Sequence, residues 1–554
     1  MKIWRNRKID IKRATEIAKK YNINMILAVL YLLRFKEETE KYIENNIIEE
    51  DPYILPDMDK AVDRILEAIE NQEKVLVYAD YDTDGATSAT ILTKFLKSLE
   101  VDTSYYIPNR IKEGYGLNTK AIETFKKLGY DLIITVDTGI AAIEEAKFAK
   151  KLGLDLIITD HHEVQTEIPD AIAVVDQKRL DNYPVENICG CMVAYKLIQA
   201  ISISIGLEEK EYLKYLPIVA IGTIGDVMPL LGENRLIVQK GLEMLKNNHE
   251  YLDEIDKYLL LKLFSEKTIT SEIVAYYISP LLNASGRLGN DTATMFLTSE
   301  SIQEIDENYI ELSLENEKRK QIVSENLSLA LKMIEENKKD IEKSSVILLT
   351  SKEFHEGVVG ILASKVLEQT GKTTIILTEN ENGFKGSGRA KGINLFELIL
   401  PFKDKLDAFG GHSAAIGLSV SNEYIEEFKN EISKIQIDEI QDIIEYDMCL
   451  NLKDLTVPLL ETFKKLEPFG KDNPTPIFMF KKCRVSQKFE YEKATKLVIE
   501  QDDFKMNALT FDIDKLKTIQ KGDEIHIIGK PTINTFNNQT NIVIHIEDVY
   551  LIKY

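Results

Sequence analysis

Four cysteines in 554 residues, at 189, 191, 449 and 483, are too few and too unevenly spaced for a disulfide framework or a zinc site. The one C-x-C pair has no second pair to complete a ligand set, so the four read as buried free thiols. Cationic excess is also missing: 69 Lys+Arg stand against 91 Asp+Glu, a formal charge of −22. That excludes a protein that coats nucleic acid by bulk electrostatics, although a local basic groove can persist inside an acidic average. No run of about 18 uncharged apolar residues occurs, and the opening MKIWRNRKIDIKRA lacks the apolar centre of a signal peptide. The expectation is a cytoplasmic protein, with 44% hydrophobic and 29% charged residues and room for several domains.

Residues 1–50 carry Ile23, Ile26, Leu27, Leu30 and Leu33 at helical spacing, which predicts a helical N-terminal extension ending at the breaker DPYILP. Beyond it the β-rich runs VLVYAD, SYYIP, DLIITVD, LDLIITD and AIAVVD alternate with helical patterns, which predicts βαβ units and a parallel sheet. Four of the five runs end in aspartate, at Asp80, Asp137, Asp160 and Asp176, and ligands of such sheets bind beyond the carboxyl ends of the strands. From about Glu300 to Lys343 there is neither glycine nor proline, so this stretch reads as one long helix or two abutting ones. SVILLT, TTIIL, FKGSGRAKG and FGGHSAAIG describe a second, smaller α/β domain. From about Asp472 five β-rich runs fit an OB-like barrel. Over residues 471–554, 13 Lys+Arg against 12 Asp+Glu leave a local charge of +1, so the acidic bias stops where a nucleic-acid-binding barrel would begin. The expected fold class is α/β, with segments 1–50 (helical extension), 51–295 (parallel-sheet domain), 296–343 (connecting helix), 344–435 (second α/β domain) and 436–554 (OB-like domain).

ADYDTDG, Ala79 to Gly85, sets aspartates at 80, 82 and 84 directly after an apolar strand. Carboxylates crowded this closely repel one another unless something positive lies between them. Asp137 follows one LIIT strand, Asp160-His161-His162 follow the next, and Asp226 ends another apolar run. Any one of these aspartates alone would be read as a helix cap or turn residue. Oxygen ligands with a single imidazole suit Mn²⁺ or Mg²⁺ rather than zinc, and two such ions a few ångströms apart serve phosphoryl displacement.

DYDTDG, VDTG, DHH and GGHSAAIG resemble the DHH phosphoesterase superfamily with its DHHA1 companion domain. Within it, IPNRIKEGYGL, SPLLNASGRLGN, HEGVVGILASKV, GSGRAKG and LEPFGKDNPTPIF resemble the bacterial single-strand-specific exonucleases. The resemblance implies a 5′→3′ exonuclease of DNA repair and recombination that uses two Mn²⁺ or Mg²⁺ ions. It implies metal ligation by Asp82, Asp84, Asp137, His161 and Asp226, with Asp80, Asp160 and His162 as supporting or substrate-side groups. Arg110, Tyr115, Asn283, Arg287, Ser387, Arg389 and His412 match positions that hold the strand end, and Phe536 offers a stacking ring on the barrel beside Lys481, Lys482 and Arg484. The implied partners are single-stranded DNA and a single-strand-binding protein or RecQ-type helicase, with no membrane. Three positions depart from the family pattern: Phe354 before His355, where tryptophan is usual, Gln177, where proline is common, and Ala390, where a serine hydroxyl usually follows the arginine. The rivals are a relative acting on short oligonucleotides or small nucleotides and a catalytically dead replication scaffold. The barrel counts against the first and the retained carboxylates against the second.

Overall fold

The computed structural model describes residues 2–552 except 115, 165–166, 181–182, 185–186, 248–249, 266, 382, 438–441 and 537–538, and of Phe536 and Gln539 the backbone only. The chain opens with strand β1 (Ile3–Asn6) and the helices Ile11–Tyr21, Met25–Phe35 and Thr39–Ile43. The apolar runs that follow form an all-parallel sheet of β2 (Val75–Ala79), β3 (Thr103–Tyr106), β4 (Leu132–Val136), β5 (Asp155–Thr159) and β6 (Ala173–Val175), in the order β3-β2-β4-β5-β6. β2 and β4 are buried along their whole length, as a sheet covered on both faces requires. Strand order reverses between β2 and β4, so the crevice of the sheet opens where Asp80 and Asp137 leave these two strands.

The glycine-free stretch is two abutting helices, Ile302–Glu336 and Lys338–Lys343. The first is 35 residues, about 50 Å, long. Ile305 and Leu312 near its start are buried in the first domain's core, while Ala330, with Leu327 and Met333 beside it, packs on the second. That second domain is a mixed sheet of β7 (Val346–Ser351), β8 (Thr373–Asn380), β9 (Gly383–Arg389), β10 (Ala408–His412) and β11 (Ala415–Val420), ordered β10-β11-β9-β8-β7 with only β7 and β8 parallel.

After β12 (Ile443–Tyr446) and β13 (Met448–Leu450) come β14 (Phe478–Tyr491), β15 (Ala494–Gln501), β16 (Phe504–Thr510), β17 (Glu524–Phe536) and β18 (Gln539–Leu551). They pair as β14-β15-β16-β18-β17, and β17 returns to β14, closing a five-stranded barrel. The N-terminal segment belongs to this end of the molecule. β1 pairs with β12, and Leu27, Leu30, Tyr31, Phe35 and Tyr42 share one core with Phe478, Phe480, Leu497 and Ile525 of the barrel. Three of the cysteines are buried as expected, but Cys449 is exposed, because on the three-residue strand β13 it points away from the core that takes Leu450. No helix among the described residues is long and apolar enough to cross a membrane.

Candidate active site

The switch-point crevice gathers all eight acidic and imidazole residues singled out by the sequence. Ligand-type atoms lie within 4.8 Å of one another in three groups: Asp80, Asp82 and Asp137; Asp84, His161 and Asp226; and Asp137, Asp160, His161 and His162. Two of the groups share His161 and two share Asp137, and His161 Nε2 lies 3.0 Å from Asp137 Oδ1, 3.6 Å from Asp226 Oδ2 and 3.7 Å from Asp84 Oδ2. Local backbone chemistry sets each side chain. Asp82 caps the helix Thr83–Ser98 by accepting from the Asp84 and Gly85 amides at 2.8 and 3.1 Å. Asp84 in turn accepts from the amides of Gly190 and Cys191 at 2.6 and 2.8 Å, at the start of the helix Gly190–Ser204, whose dipole favours an anion there. Asp137 sits in the left-handed region at φ +59°, a conformation costly for a side-chain-bearing residue and typical of functional sites. Asp160 accepts from the Ile140 and His161 amides and lies 2.7 Å from His162 Nδ1, which makes it an orienting group.

Among the described residues the carboxylates outnumber the positive groups that act on them, His162 and Arg110. Burial and the neighbouring carboxylates, Asp82 first among them, push Asp84 up to about 7. Burial and Asp84 bring Asp226 to about 7 as well, and Asp80 and Asp137 are raised for the same two reasons, burial and nearby carboxylates. Buried oxygens of Asp80, Asp137 and Asp226 have no hydrogen-bond partner, which is the signature of ligands awaiting a cation. Burial lowers His161, leaving a neutral imidazole of the kind that coordinates metal. For His162 burial opposes the charge, but the Asp160 carboxylate outweighs it and raises the ring to about 9. The donor set therefore fits two hard divalent ions, and Asp80 lies in one group with Asp82 and Asp137, two of the five residues expected as ligands from sequence.

A stability signature follows from the raised carboxyls. They hold more protons folded than unfolded, so their favourable contribution is complete below about pH 4, the unfolded value, and is lost as pH rises through about 7. The melting temperature of the metal-free protein should fall between pH 5 and 8, and Mn²⁺ should restore more of it at pH 8 than at pH 5. Thermal melts in chelator and in Mn²⁺ check this, and a metal-induced rise independent of pH would remove these carboxyls from metal binding.

Beside the crevice, between the two α/β domains, lies a cleft of about 430 Å³ lined by Tyr81, Arg110, Arg287, Gly360, Ser387 and Arg389 among others. The helix Val359–Thr370 starts there, and Gly360 leaves room for Arg389, since a Cβ on it would lie 2.9 Å from the Arg389 Nη2. Arg389 donates to Ser387 Oγ at 2.5 Å, and the Arg110 guanidinium lies 4.9 Å from the Tyr81 ring centroid. Burial first, then Arg110 and Arg319, lower Arg287 to about 10, and burial with Arg110 lowers Arg389 too. Glu356, the acid lining the cleft, is paired with Lys385 at 2.6 Å. Mutually repelling arginines at a helix N-terminus make an anion site, and their fork geometry matches phosphate.

The remaining expected residues are placed as follows. Asn283 accepts from the Thr83 amide at 2.8 Å and so braces the first aspartate motif. His412 is exposed at the end of β10 and joins none of the three ligand groups. Tyr115 lies outside the described residues, as does the side chain of Phe536. Lys481 and Lys482 are exposed at a bulge of β14, but Arg484 stands in register between Glu500 and Glu524, which offset its charge. The outward face of the barrel carries Phe489, Tyr491 and Phe511 instead, with the Lys496 ammonium 4.7 Å from the Phe489 ring centroid. Sequence reasoning missed Tyr81, Arg319, Gly360 and the Gly190–Cys191 amides. Only Gly190 has a local signal, the C-G-C tripeptide, which in sequence suggests thiols rather than backbone donors.

Comparison with known proteins agrees with this architecture. The family model of the DHH family N-terminal domain matches residues 74–223, the DHHA1 domain residues 343–441 and the RecJ OB domain residues 446–548. The single-stranded-DNA-specific exonuclease RecJ of Bacillus subtilis is 36% identical over 513 residues, 90% of this chain and 64% of that protein, so this chain spans just under two thirds of that relative. The RecJ of Salmonella typhimurium is 27% identical over 527 residues, 90% of each chain. The crystal structure of RecJ in complex with Mn²⁺ from Thermus thermophilus superimposes with a TM-score of 0.86 at 23% identity, covering 100% of this chain and 80% of that one. The chain thus carries DHH, DHHA1 and RecJ OB domains in this order, and in sequence and fold it is similar to the RecJ proteins along most of its length.

Proposed function

We propose that this protein is a metal-dependent 5′→3′ exonuclease that degrades single-stranded DNA to 5′-mononucleotides. The observation that carries the reading is the tripeptide Asp80-Tyr81-Asp82: its aspartates belong to the carboxylate cluster while its tyrosine lines the arginine cleft. A terminal 5′-phosphate gripped by Arg110, Arg287 and Arg389 therefore leaves the next phosphodiester beside the cluster. Polarity comes from that grip, because a carboxylate cluster alone cannot tell one strand end from the other. Asp80, Asp82, Asp84, Asp137, His161 and Asp226 would hold two Mn²⁺ or Mg²⁺ ions. Such ions, when bound, supply Lewis acidity toward the phosphate and lower the pKa of water. The exonuclease name of the Bacillus relative and the bound Mn²⁺ of the Thermus one support the same reading. A RecQ-type helicase or a single-strand-binding protein would supply the free strand, and we propose these as partners because the cleft needs an unpaired 5′ end.

Labelled single- and double-stranded oligonucleotides incubated with Mn²⁺ or Mg²⁺ test the proposal. A 5′-labelled mononucleotide should be the first product, from single strands only; a ladder shortening from the 3′ end, or hydrolysis confined to dinucleotides, would overturn it. The grip has its own test. Arg389→Ala should raise the Michaelis constant about tenfold for strands that carry a terminal 5′-phosphate and much less for strands that end in a hydroxyl, since a charge-assisted contact to the phosphate is lost. Equal losses on both would reassign Arg389 to structure or to general backbone binding.

A further inference from the structure

Asn283 and Arg287 lie on one continuous helical stretch, residues 271–288, that has an unusual start. It runs as α-helix over Ser271–Ile273, as a π-helical turn over Val274–Ile278 and as α-helix again over Ser279–Leu288. Pro280 supplies the cause. It has no N–H to donate, and its ring would collide with the carbonyl of Tyr276, four residues before it, so the preceding turn widens. Such turns are frequent at functional sites. This one presents Tyr276 at 76% and Tyr277 at 55% exposure, with the Lys267 ammonium 5.5 Å from the Tyr277 ring centroid. A lone exposed tyrosine needs no explanation, but the position of this pair sets it apart.

The stretch joins every part of the proposed strand path. Arg287, near its C-terminal end, lines the phosphate cleft. Asn283 holds the Thr83 amide between Asp82 and Asp84. At its N-terminal end Ser271 donates to the Phe469 carbonyl at 2.7 Å, and Thr475 donates to Glu272 at 3.0 Å, both in the segment that leads into the barrel. Pro280, Asn283 and Arg287 are spaced three and four on the α-helical part, which puts them on one face, and Tyr276 precedes Pro280 by about one turn of the wider π segment. Tyr276 is eleven residues from Arg287, about 16 Å along the axis. A stacked strand advances about 3.4 Å per nucleotide, so a strand held by its 5′ end at Arg287 and running toward the barrel passes Tyr276 with its fifth and sixth nucleotides.

We infer that Tyr276, flanked by Tyr277, is a base-stacking platform for the fifth and sixth nucleotides of a single strand leaving the cleavage centre. This rests on the single-strand reading above and adds a subsite to it. Aromatic stacking is tolerant of sequence, and the strand needs no base-specific contact there.

The test reads binding apart from turnover. A fluorescent, 5′-phosphorylated 12-nucleotide strand whose linkages are phosphorothioates is titrated with the intact Mn²⁺-loaded protein. Tyr276→Ala should weaken binding about tenfold, and Tyr276→Phe should stay within twofold. Removing the bases at positions 5 and 6 should cost the wild type the same tenfold and cost Tyr276→Ala nothing further. With cleavable strands Tyr276→Ala should raise the Michaelis constant and leave kcat unchanged. If Tyr276→Ala binds the intact strand as the wild type does, or if the abasic penalty is the same in both, the platform is overturned. A wild type that binds the strand but never cleaves it would refute the exonuclease reading while leaving the base-dependence measurable; one that binds no strand would refute both.

Discussion

Asp82→Asn should abolish hydrolysis, by on the order of a thousandfold or more, while making the metal-free protein more stable. The two effects have one origin. Asp82 is among the charges that raise Asp80, Asp84, Asp137 and Asp226, so its carboxylate is the common source of repulsion in the cluster. Asparagine caps a helix as well as aspartate does, and Asp82 Oδ1 already accepts both the Asp84 and the Gly85 amides, so the helix Thr83–Ser98 keeps its start. What is lost is one negative charge, worth about 1 kcal/mol or more to a crowded set of like charges. Melting in chelator should therefore move up by a few degrees and Mn²⁺ should stabilise the variant less than the wild type. Asp84→Asn serves as the contrast. Both of its oxygens accept backbone amides, so an amide NH₂ there would face a donor and lower stability as well as activity. An Asp82→Asn protein with normal turnover would take this residue out of the mechanism, and one that melts lower in chelator would refute the account of its charge.

The cluster is legible in the sequence because its signal is local and repeated: an apolar run ending in aspartate, several times over, on strands whose parallel pairing brings their ends together. The three arginines can be named from their motifs, but their convergence cannot. Arg110 and Arg287 come from the first domain and Arg389 from β9 of the second, and only packing between domains makes one cleft of them. Gly190 shows the limit most plainly. A Cβ there would lie 2.5 Å from the Cβ of Asp137, so the residue must be glycine for a reason 53 positions away in the chain. The N-terminal segment is helical as its periodicity predicts, yet it is no mere extension. Strand β1, IWRN, shows no apolar alternation, and its partner β12 begins at Ile443, so no periodicity within the first fifty residues could reveal the pairing. The exposed face of the barrel escapes sequence reading for a related reason. Phe489 and Tyr491 alternate along β14 as core residues do, and only the bulge between Val485 and Gln487 turns that alternation outward.

Asp447→Ala should cost the N-terminal segment and the barrel about 3–5 kcal/mol. The carboxylate is fully buried and accepts two parallel hydrogen bonds from Arg34 at 2.7 Å each, one from Arg7 at 2.9 Å and one from the Ile477 amide at 2.9 Å. It thereby ties the helix Met25–Phe35 and the segment after β1 to the turn before β14. A buried pair adds little over an apolar replacement, but removing one partner strands the other, and here the Arg34 guanidinium, itself 1% exposed, would be left without its anion. Arg235 binds the same region through the Leu466 and Lys465 carbonyls and lies over the Phe35 ring, so the loss should spread along this seam rather than through the parallel-sheet core. Hydrogen exchange should show residues 3–35 and 443–485 losing protection together, with the strands β2, β4 and β5 keeping theirs. Urea unfolding should separate into two transitions, the earlier one belonging to the seam. A variant with an unchanged first transition would mean that the shared apolar core of Leu27, Leu30, Phe478 and Phe480 holds these segments without the ion pair, and Asp447 would then be a register device rather than a source of stability.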